Sequence, residues 1–247
     1  MGMNATGEQG EGRQFPLPSR PEKAASGRLE AKLSRRLAAI EAASRKGKKV
    51  QDLLKIMRPH ESLWRQAYAN MYAHKGARTP GRNKKTLEGF SDARVKNSMH
   101  LLEEDQYQFS PSKRVTIPKA YGTLRPWGIP SGDDTLIQAV VSMRLESIDE
   151  PVVVNDSHGC RPRRSCPTAL QEGRNTWDGV QWMLDMDSEG CLENIDQTMM
   201  IKLREQKRED WRCIKILRPR LKAGDMEDWR SQQTSSGTPQ GGIVSPI

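Results

Sequence analysis

The sequence predicts an α+β fold, mostly helical with a small antiparallel sheet, and three observations predict it. Apolar residues recur at three- and four-residue spacing in several segments, the period of a helix that buries one face. Alternation at every second residue is confined to 115–129 and 180–187, too little for more than a small sheet. Strand-like and helix-like segments do not alternate regularly along the chain, which argues against repeated βαβ units.

Composition bounds the rest. The chain has 247 residues, of which 35% are apolar and 5% aromatic, so its core is modest for its length. Forty Lys and Arg against 31 Asp and Glu leave a net charge of +9, which favours a polyanionic partner: RNA or DNA first, an acidic membrane surface second. No run of about 18 apolar residues exists to span a bilayer. Residues 1–19 lack the apolar stretch of a secretory leader, which favours a cytosolic or organellar-matrix protein. Cys160, Cys166, Cys191 and Cys213 form no C-x-x-C pair and His60, His74, His100 and His158 are scattered, so structural zinc is not expected.

Residues 1–27 are Gly, Pro, Ser and charge, and read as disordered. From Arg28, Leu29, Leu33, Leu37 and Ile40 form the stripe of a basic amphipathic helix. Ser62 is placed to cap a second helix, with Leu63, Ala67 and Met71 on its face and an end near Gly76. The Gly76–Lys85 loop that follows, with Arg78 and Arg82, suits a phosphate backbone or plain solvent. Ser91 and Asp92 open a helix striped by Val95, Met99 and Leu102. Val115 and Ile117, a Tyr121-Gly122 turn and the return 124–129 predict a hairpin whose prolines confine it to an edge or to irregular ends. Asp133 and Asp134 start a helix carrying Ile137, Val140, Val141, Leu145 and Ile148, which Pro151 stops. A loop rich in Arg and Pro, 157–165, then leads to a strand over 180–187. Two helices follow, one with Ile195, Met199 and Leu203 and one with Trp211, Ile214, Leu217 and Leu221.

Four stretches point to chemistry. Gly237-Thr-Pro-Gln-Gly-Gly-Ile-Val-Ser-Pro-Ile247 holds three glycines and two prolines, a loop that lets another molecule approach its backbone, with Gln240 as its one long polar side chain. In the strand expected at 180–187, Asp185 and Asp187 share a face opposite Val180, Trp182, Leu184 and Met186. That is a seat for a divalent cation or simply a solvated edge. Across the expected hairpin, Lys119 and Arg125 can converge on one anion, in a stretch from Pro111 to Gly132 that has four basic residues and no acidic one. Ser157-His-Gly-Cys-Arg-Pro-Arg-Arg-Ser165 offers Arg161 and Arg164, either to phosphates or to bracing the loop.

Taken in order, from about Leu54 to Ile247, these stretches resemble the group II intron reverse transcriptases, the intron-encoded reverse transcriptase/maturase family. Asp187-Ser-Glu-Gly-Cys-Leu-Glu-Asn-Ile-Asp196 is similar to that family's first catalytic motif, in which an aspartate is followed after two residues by Gly-Cys-Phe-Asp-Asn-Ile-Asp. Glu189, Leu192 and Glu193 depart from it. Arg114 to Pro130 resembles the fingers motif, and 157–165 the family's Gly-Phe-Arg-Pro-x-Arg-Ser, with Cys160 in place of Phe.

The resemblance implies a right-hand polymerase: a flexible basic N-terminal extension over 1–50 that includes the first helix, fingers with an RNA-facing segment over 51–180, and the N-terminal half of a palm over 181–247. It makes Asp187 the catalytic metal-binding carboxylate of a two-metal Mg2+ site. Lys119, Arg125 and Gln240 become nucleotide contacts, and Leu192 stands where an aromatic ring walls off the sugar 2′-hydroxyl. Arg78, Arg82, Arg114, Arg161 and Arg164 become RNA contacts. The implied partners are intron and template RNA, a DNA primer and deoxyribonucleoside triphosphates, with a homodimer also allowed. The implied activity is RNA-directed DNA polymerisation, with assistance to intron splicing and mobility. The family's Tyr-x-Asp-Asp hairpin lies beyond the Pro-Gln-Gly loop, so 1–247 alone is expected to show no extension of primed RNA and to expose the apolar side chains of 182–186. The competing readings are a non-catalytic RNA-binding module and a decayed gene fragment. A bacterial cytoplasm, or secondarily an organellar matrix, is the expected location.

Overall fold

A computed structural model describes residues 20–48, 61–73, 75–89, 91–118, 122, 124–207, 211–227, 230–232, 236–238 and 240–245. Lys119, Tyr121, Trp211's side chain and the part of the expected disordered segment before Arg20 lie outside the described residues. Helix α1 spans Arg20–Arg45, eight positions ahead of the Arg28 start expected from its stripe. Leu33 and Ile40 bury their side chains, and Ser44 Oγ donates to the Ile148 carbonyl at 2.5 Å, so this basic helix is docked onto the core.

Helix α2 (Glu61–Tyr72) buries Leu63, Trp64 and Ala67, and a short 3-10 turn follows at Lys75–Arg78. Ser62 lies inside its first turn and is not the cap. Helix α3 (Asp92–Glu103) starts as expected, with the Ser91 hydroxyl accepting from the Arg94 N–H and with Val95 and Leu102 buried.

The sheet has four strands in the order β2-β1-β3-β4: β1 Ser112–Pro118, β2 Leu124–Ile129, β3 Asp225–Glu227 and β4 Arg230–Gln232. The hairpin forms in the register that pairs Ile117 with Arg125 and Pro118 with Leu124. Strand β2 is the edge, where the missing N–H of Pro126 interrupts no second ladder. The sheet is mixed and not wholly antiparallel, because β3 runs parallel to β1. It reaches β1 from far along the chain through a helical connection, the kind of long crossover a parallel pair needs.

Helix α4 (Gly132–Asp149) is the pillar of the fold. Leu136, Ile137, Val140, Val141, Leu145 and Ile148 are all buried, and α1 and α2 pack on it. Its cap is Ser131, two positions ahead of the Asp133 start read from sequence; the Ser131 hydroxyl accepts from the Asp134 N–H. A 3-10 turn carrying Pro151, Glu150–Val152, ends it where expected.

Asp133 and Asp134 then divide the first turn of α4. Asp133 takes Arg94 Nε at 2.5 Å and Lys85 Nζ at 3.0 Å. Asp134, 1% exposed, accepts from the Tyr107 hydroxyl at 2.8 Å and the Ser110 N–H at 3.1 Å. Burial drives the Asp134 carboxyl above its usual range, despite these donors. Burial also pushes Asp133 up, but the hydrogen bonds from Arg94 and Lys85 win and its carboxyl ends below the usual range.

Two segments differ from the sequence reading. Helix α5 (Cys166–Thr176) was not foreseen, although Ser165 and Thr168 form its capping box and Pro167 sits in its first turn. Residues 177–188 are irregular where a strand was expected over 180–187, and among the described residues no strand pairs with them. An isolated strand has no ladder to satisfy its backbone. Trp182, Leu184 and Met186 are accordingly exposed at 91%, 79% and 80%, the apolar surface anticipated from sequence. After the short α6 (Cys191–Asn194), α7 (Gln197–Lys207) and α8 (Trp211–Lys222) pack on each other. Helix α7 buries Ile201, not the Met199 and Leu203 of the expected stripe, against Ile214 and Leu221.

The lowered Asp133 has a definite pH consequence. Its ionised form is favoured by folding, so its contribution is complete above the unfolded carboxylate range, about pH 4, and is lost as pH falls through its folded value. Thermal melts of wild type and Asp133→Asn should differ by about 1.5–3 kcal/mol at pH 7, the usual worth of charge-assisted bonds, and should converge on acidification; a constant gap down to pH 3 would contradict the pairing.

Candidate functional site

The 237–245 loop is positioned by backbone contacts that only glycine permits. Gly241 has φ +96°, and a Cβ there would stand 2.5 Å from the Gly128 carbonyl oxygen and 2.8 Å from the Trp127 ring. Gly237 has φ +78°, and its Cβ would meet the Glu193 carbonyl oxygen at 2.5 Å. The loop therefore lies flush against β2 on one side and α6 on the other. Three backbone bonds lock it there: Gly128 N–H to the Gln240 carbonyl at 2.6 Å, Thr238 N–H to Leu192 at 2.7 Å, and Gly237 N–H to Ile195 at 2.7 Å, the last within the antiparallel bridge between Asp196 and Ser236.

This packing brings together side chains far apart in sequence. Arg125 Nε donates to Gln240 Oε1 at 2.8 Å, and Gln240 Nε2 donates to Glu193 Oε1 at 3.1 Å. A cation on one side and a carboxylate on the other leave the amide only one favourable orientation. The Arg125 guanidinium also lies 5.8 Å from the centre of the Trp127 ring, within cation–π reach. The Leu192 carbonyl accepts from the Thr238 N–H, two positions before Gln240. Arg125 and Gln240 thus meet through their side chains, whereas Leu192 takes part through its backbone. Glu193 and Trp127 join them, although neither was singled out as a site residue. Glu193 stood out in the sequence only as a departure from a motif, and Trp127 only as part of the hairpin.

The other predicted residues fall elsewhere. Asp187 is exposed, in the irregular stretch ahead of α6, and forms no hydrogen bond or ion pair with another described residue. Among the described residues no three Asp, Glu, His or Cys side chains come together to hold a metal. One exposed carboxylate is too few for Mg2+, which needs an octahedral set of oxygens, so the described residues do not by themselves make the two-metal site. Asp196 serves as the cap of α7, its carboxylate accepting from the Met199 N–H at 2.8 Å.

Arg161 is consumed inside its own loop. Its guanidinium makes a two-pronged contact with Glu150 at 3.0 and 2.9 Å and donates to the carbonyls of Val154 and Ser157. Those bonds hold the Glu150 carboxyl below its usual range. Arg164 donates to the Asn155 carbonyl at 2.5 Å and lies beside Glu172 and His158. Of the two roles open to this pair, bracing the loop is the one the contacts display. Arg82 is exposed, Arg114 half-buried on β1, and Arg78, also exposed, lies 3.4 Å from Glu88 and over the Tyr72 ring.

The family model described as reverse transcriptase (RNA-dependent DNA polymerase) matches residues 117–247, a little over half of the chain. The group II intron-encoded protein LtrA of Lactococcus lactis subsp. cremoris is 41% identical over 193 residues, covering 78% of this chain and 32% of that protein. An uncharacterised 91 kDa protein in a cob intron of Schizosaccharomyces pombe is 36% identical over 181 residues, covering 73% of this chain and 22% of its own length. Protein YkfC of Escherichia coli is 30% identical over 218 residues, covering 83% of this chain and 56% of that protein. The chain spans about a third of the length of LtrA.

The glycine contacts set a test of the site's architecture. Gly241→Ala combines a strained φ with a backbone clash and should cost roughly 1–3 kcal/mol, read by urea denaturation; Gly122→Ala, at a positive φ but with open space around it, should cost less. Equal costs would show that the close approach to β2 is not what requires glycine.

Proposed function

The chain belongs to the reverse transcriptase (RNA-dependent DNA polymerase) family, and from that premise we propose that residues 1–247 form the fingers and the N-terminal part of the palm of a group II intron reverse transcriptase/maturase, with the Arg125–Gln240 pair at its nucleotide site. The observation that carries this reading is the 2.8 Å bond between side chains 115 positions apart, one on the fingers hairpin and one on the Gly-rich loop. Names among the relatives support it: LtrA is called a group II intron-encoded protein, and others are named for introns in cob and COX1/OXI3.

In this proposal each residue does what its chemistry allows. Arg125, exposed beside the hairpin end, presents a planar fork to the triphosphate, and Lys119, six positions earlier in the sequence, adds a second cation. Gln240 sits between Arg125 and Glu193 with its amide direction set before the nucleotide arrives, the kind of preorganisation that lowers the cost of binding. Leu192 lines the sugar side, where an aliphatic chain is a softer wall than an aromatic ring. Asp187 occupies the family's metal-binding position, and the Mg2+ ions of such enzymes supply charge neutralisation and activation of the primer hydroxyl; the other carboxylates they need are not among the described residues. The soluble partners in this reading are intron and template RNA, a DNA primer and deoxyribonucleoside triphosphates, in a bacterial cytoplasm. No described helix is long and apolar enough to cross a membrane.

A second reading, RNA binding without catalysis, is favoured by the 75–85 segment. It exposes Arg78, Arg82, Lys84 and Lys85 together on one loop of a chain with net charge +9. Both readings share the phosphate contacts and differ at Arg125.

Titration of a fluorescent deoxyribonucleoside triphosphate separates them. Arg125→Ala and Gln240→Ala should each weaken nucleotide binding about tenfold or more, since a charged hydrogen bond is worth about 1.5–3 kcal/mol; unchanged affinity in both would sink the nucleotide site. RNA affinity measured against salt tests the loop independently. Replacing Arg82 by Ala should lower the slope of log K against log salt by about one, and an unchanged slope removes Arg82 from the RNA surface.

A further inference from the structure

A cavity of about 60 Å3 lies behind the Gly-rich loop, between α4, α7 and α8, with walls that include Leu145, Leu217 and Val244. Three polar atoms on its lining residues are buried without a hydrogen-bond partner among the described residues: Gln138 Nε2, Arg220 Nη1 and Thr238 Oγ1. Their residues are 2%, 6% and 8% exposed. Two of these side chains are already anchored by another atom. Gln138 Oε1 accepts the Ile243 N–H at 3.2 Å, and Arg220 Nη2 donates to Ser112 Oγ at 2.9 Å. Those two side chains are therefore held in place, and the Thr238 backbone is fixed by its N–H bond to the Leu192 carbonyl. A buried donor without a partner is unfavourable enough that native proteins satisfy nearly all of them, with ordered water where no side chain reaches.

We propose that this cavity is an internal hydration site: a small cluster of ordered water molecules that bridges Thr238 of the Gly-rich loop to Gln138 of α4 and Arg220 of α8. Space of roughly 10–15 Å3 holds one water, so the cavity admits more than one. Gln138 and Arg220 offer donors, and the Thr238 hydroxyl both donates and accepts, a set that water can join at every position. Charge favours water over an anion. The Asp134 and Asp225 carboxylates lie within electrostatic reach of the Arg220 guanidinium, so a further negative ion there would meet repulsion from both. The cluster ties the loop that presents Gln240 to the pillar helix from behind, on the side away from Arg125. It stands whether or not the nucleotide reading holds.

The test has two arms on the 1–247 chain. A high-resolution crystal structure should show density within hydrogen-bond distance of Gln138 Nε2, Thr238 Oγ1 and Arg220 Nη1, with no anomalous peak there after a bromide soak. A dry cavity, or a halide in it, overturns the proposal. In the second arm, Thr238→Val and Gln138→Met are combined in a double-mutant cycle read by thermal melting. Thr238→Val should lower the midpoint by about 2–4 °C, and the double variant should lose clearly less than the sum, because no direct bond joins the two residues and a shared cluster is what couples them. Additive losses overturn the bridge. If the double variant fails to fold, the density and bromide measurements on the wild-type chain still decide.

Discussion

Absence of a Cβ at two positions governs the site. Gly241 lies against the backbone of β2 and Gly237 against that of α6, at distances no side chain survives. From those two contacts follow the Gly128 to Gln240 bond, the Thr238 to Leu192 bond and the meeting of Arg125, Gln240 and Glu193. A loop held off by even one methyl group would separate the hairpin from the segment after Asp187. The amide of Gln240 would then keep neither of its partners.

Behind the loop, α4 supplies the fixed reference. It is buried on nearly all sides, so its low amphipathicity is a property of position: every face meets protein. Its ends are tied to separate parts of the chain. At the start, Asp133 gathers Arg94 and Lys85, while Asp134 gathers Tyr107 and the Ser110 backbone. Near the end, the Ile148 carbonyl takes Ser44 of α1. Buried Arg144 in the same helix has its guanidinium pushed down to about 10 by burial, with Arg36 adding to the effect. So many committed polar groups on one helix favour a single packing, because each alternative would leave several of them unmatched.

Charge on this chain divides into two kinds. Arg161, Arg94 and Arg204 are spent on carboxylates and carbonyls within the fold. Arg82 and Lys84 stay in water on an open loop, and Arg125 faces outward with one bond to a neutral amide. A net charge counts both kinds equally, yet only the second is free to meet an external phosphate. The same division applies to apolar side chains: Leu63 and Trp64 are sealed inside, whereas Trp182, Leu184 and Met186 stand in solvent.

Local chemistry was legible in the residues alone. Ser91 as a cap, the hairpin of 112–129, the stop at Pro151 and the bend at 237–242 each follow from neighbours a few positions apart, and the order of motifs sufficed to identify the family. Where the outcome depended on partners distant in the chain, the residues were silent or misleading. The alternation at 180–187 describes a strand, but a strand also needs a neighbour, and none of the described residues supplies one. The buried face of α7 turned from Met199 to Ile201 because α8 approaches from that side. Glu193 became a partner of Gln240, and β3 ran parallel to β1, through folding alone. Propensity and capping act within a turn or two and can be read along the chain; register, burial and pairing across more than a hundred residues are decided by which surfaces meet, and that exists only in three dimensions.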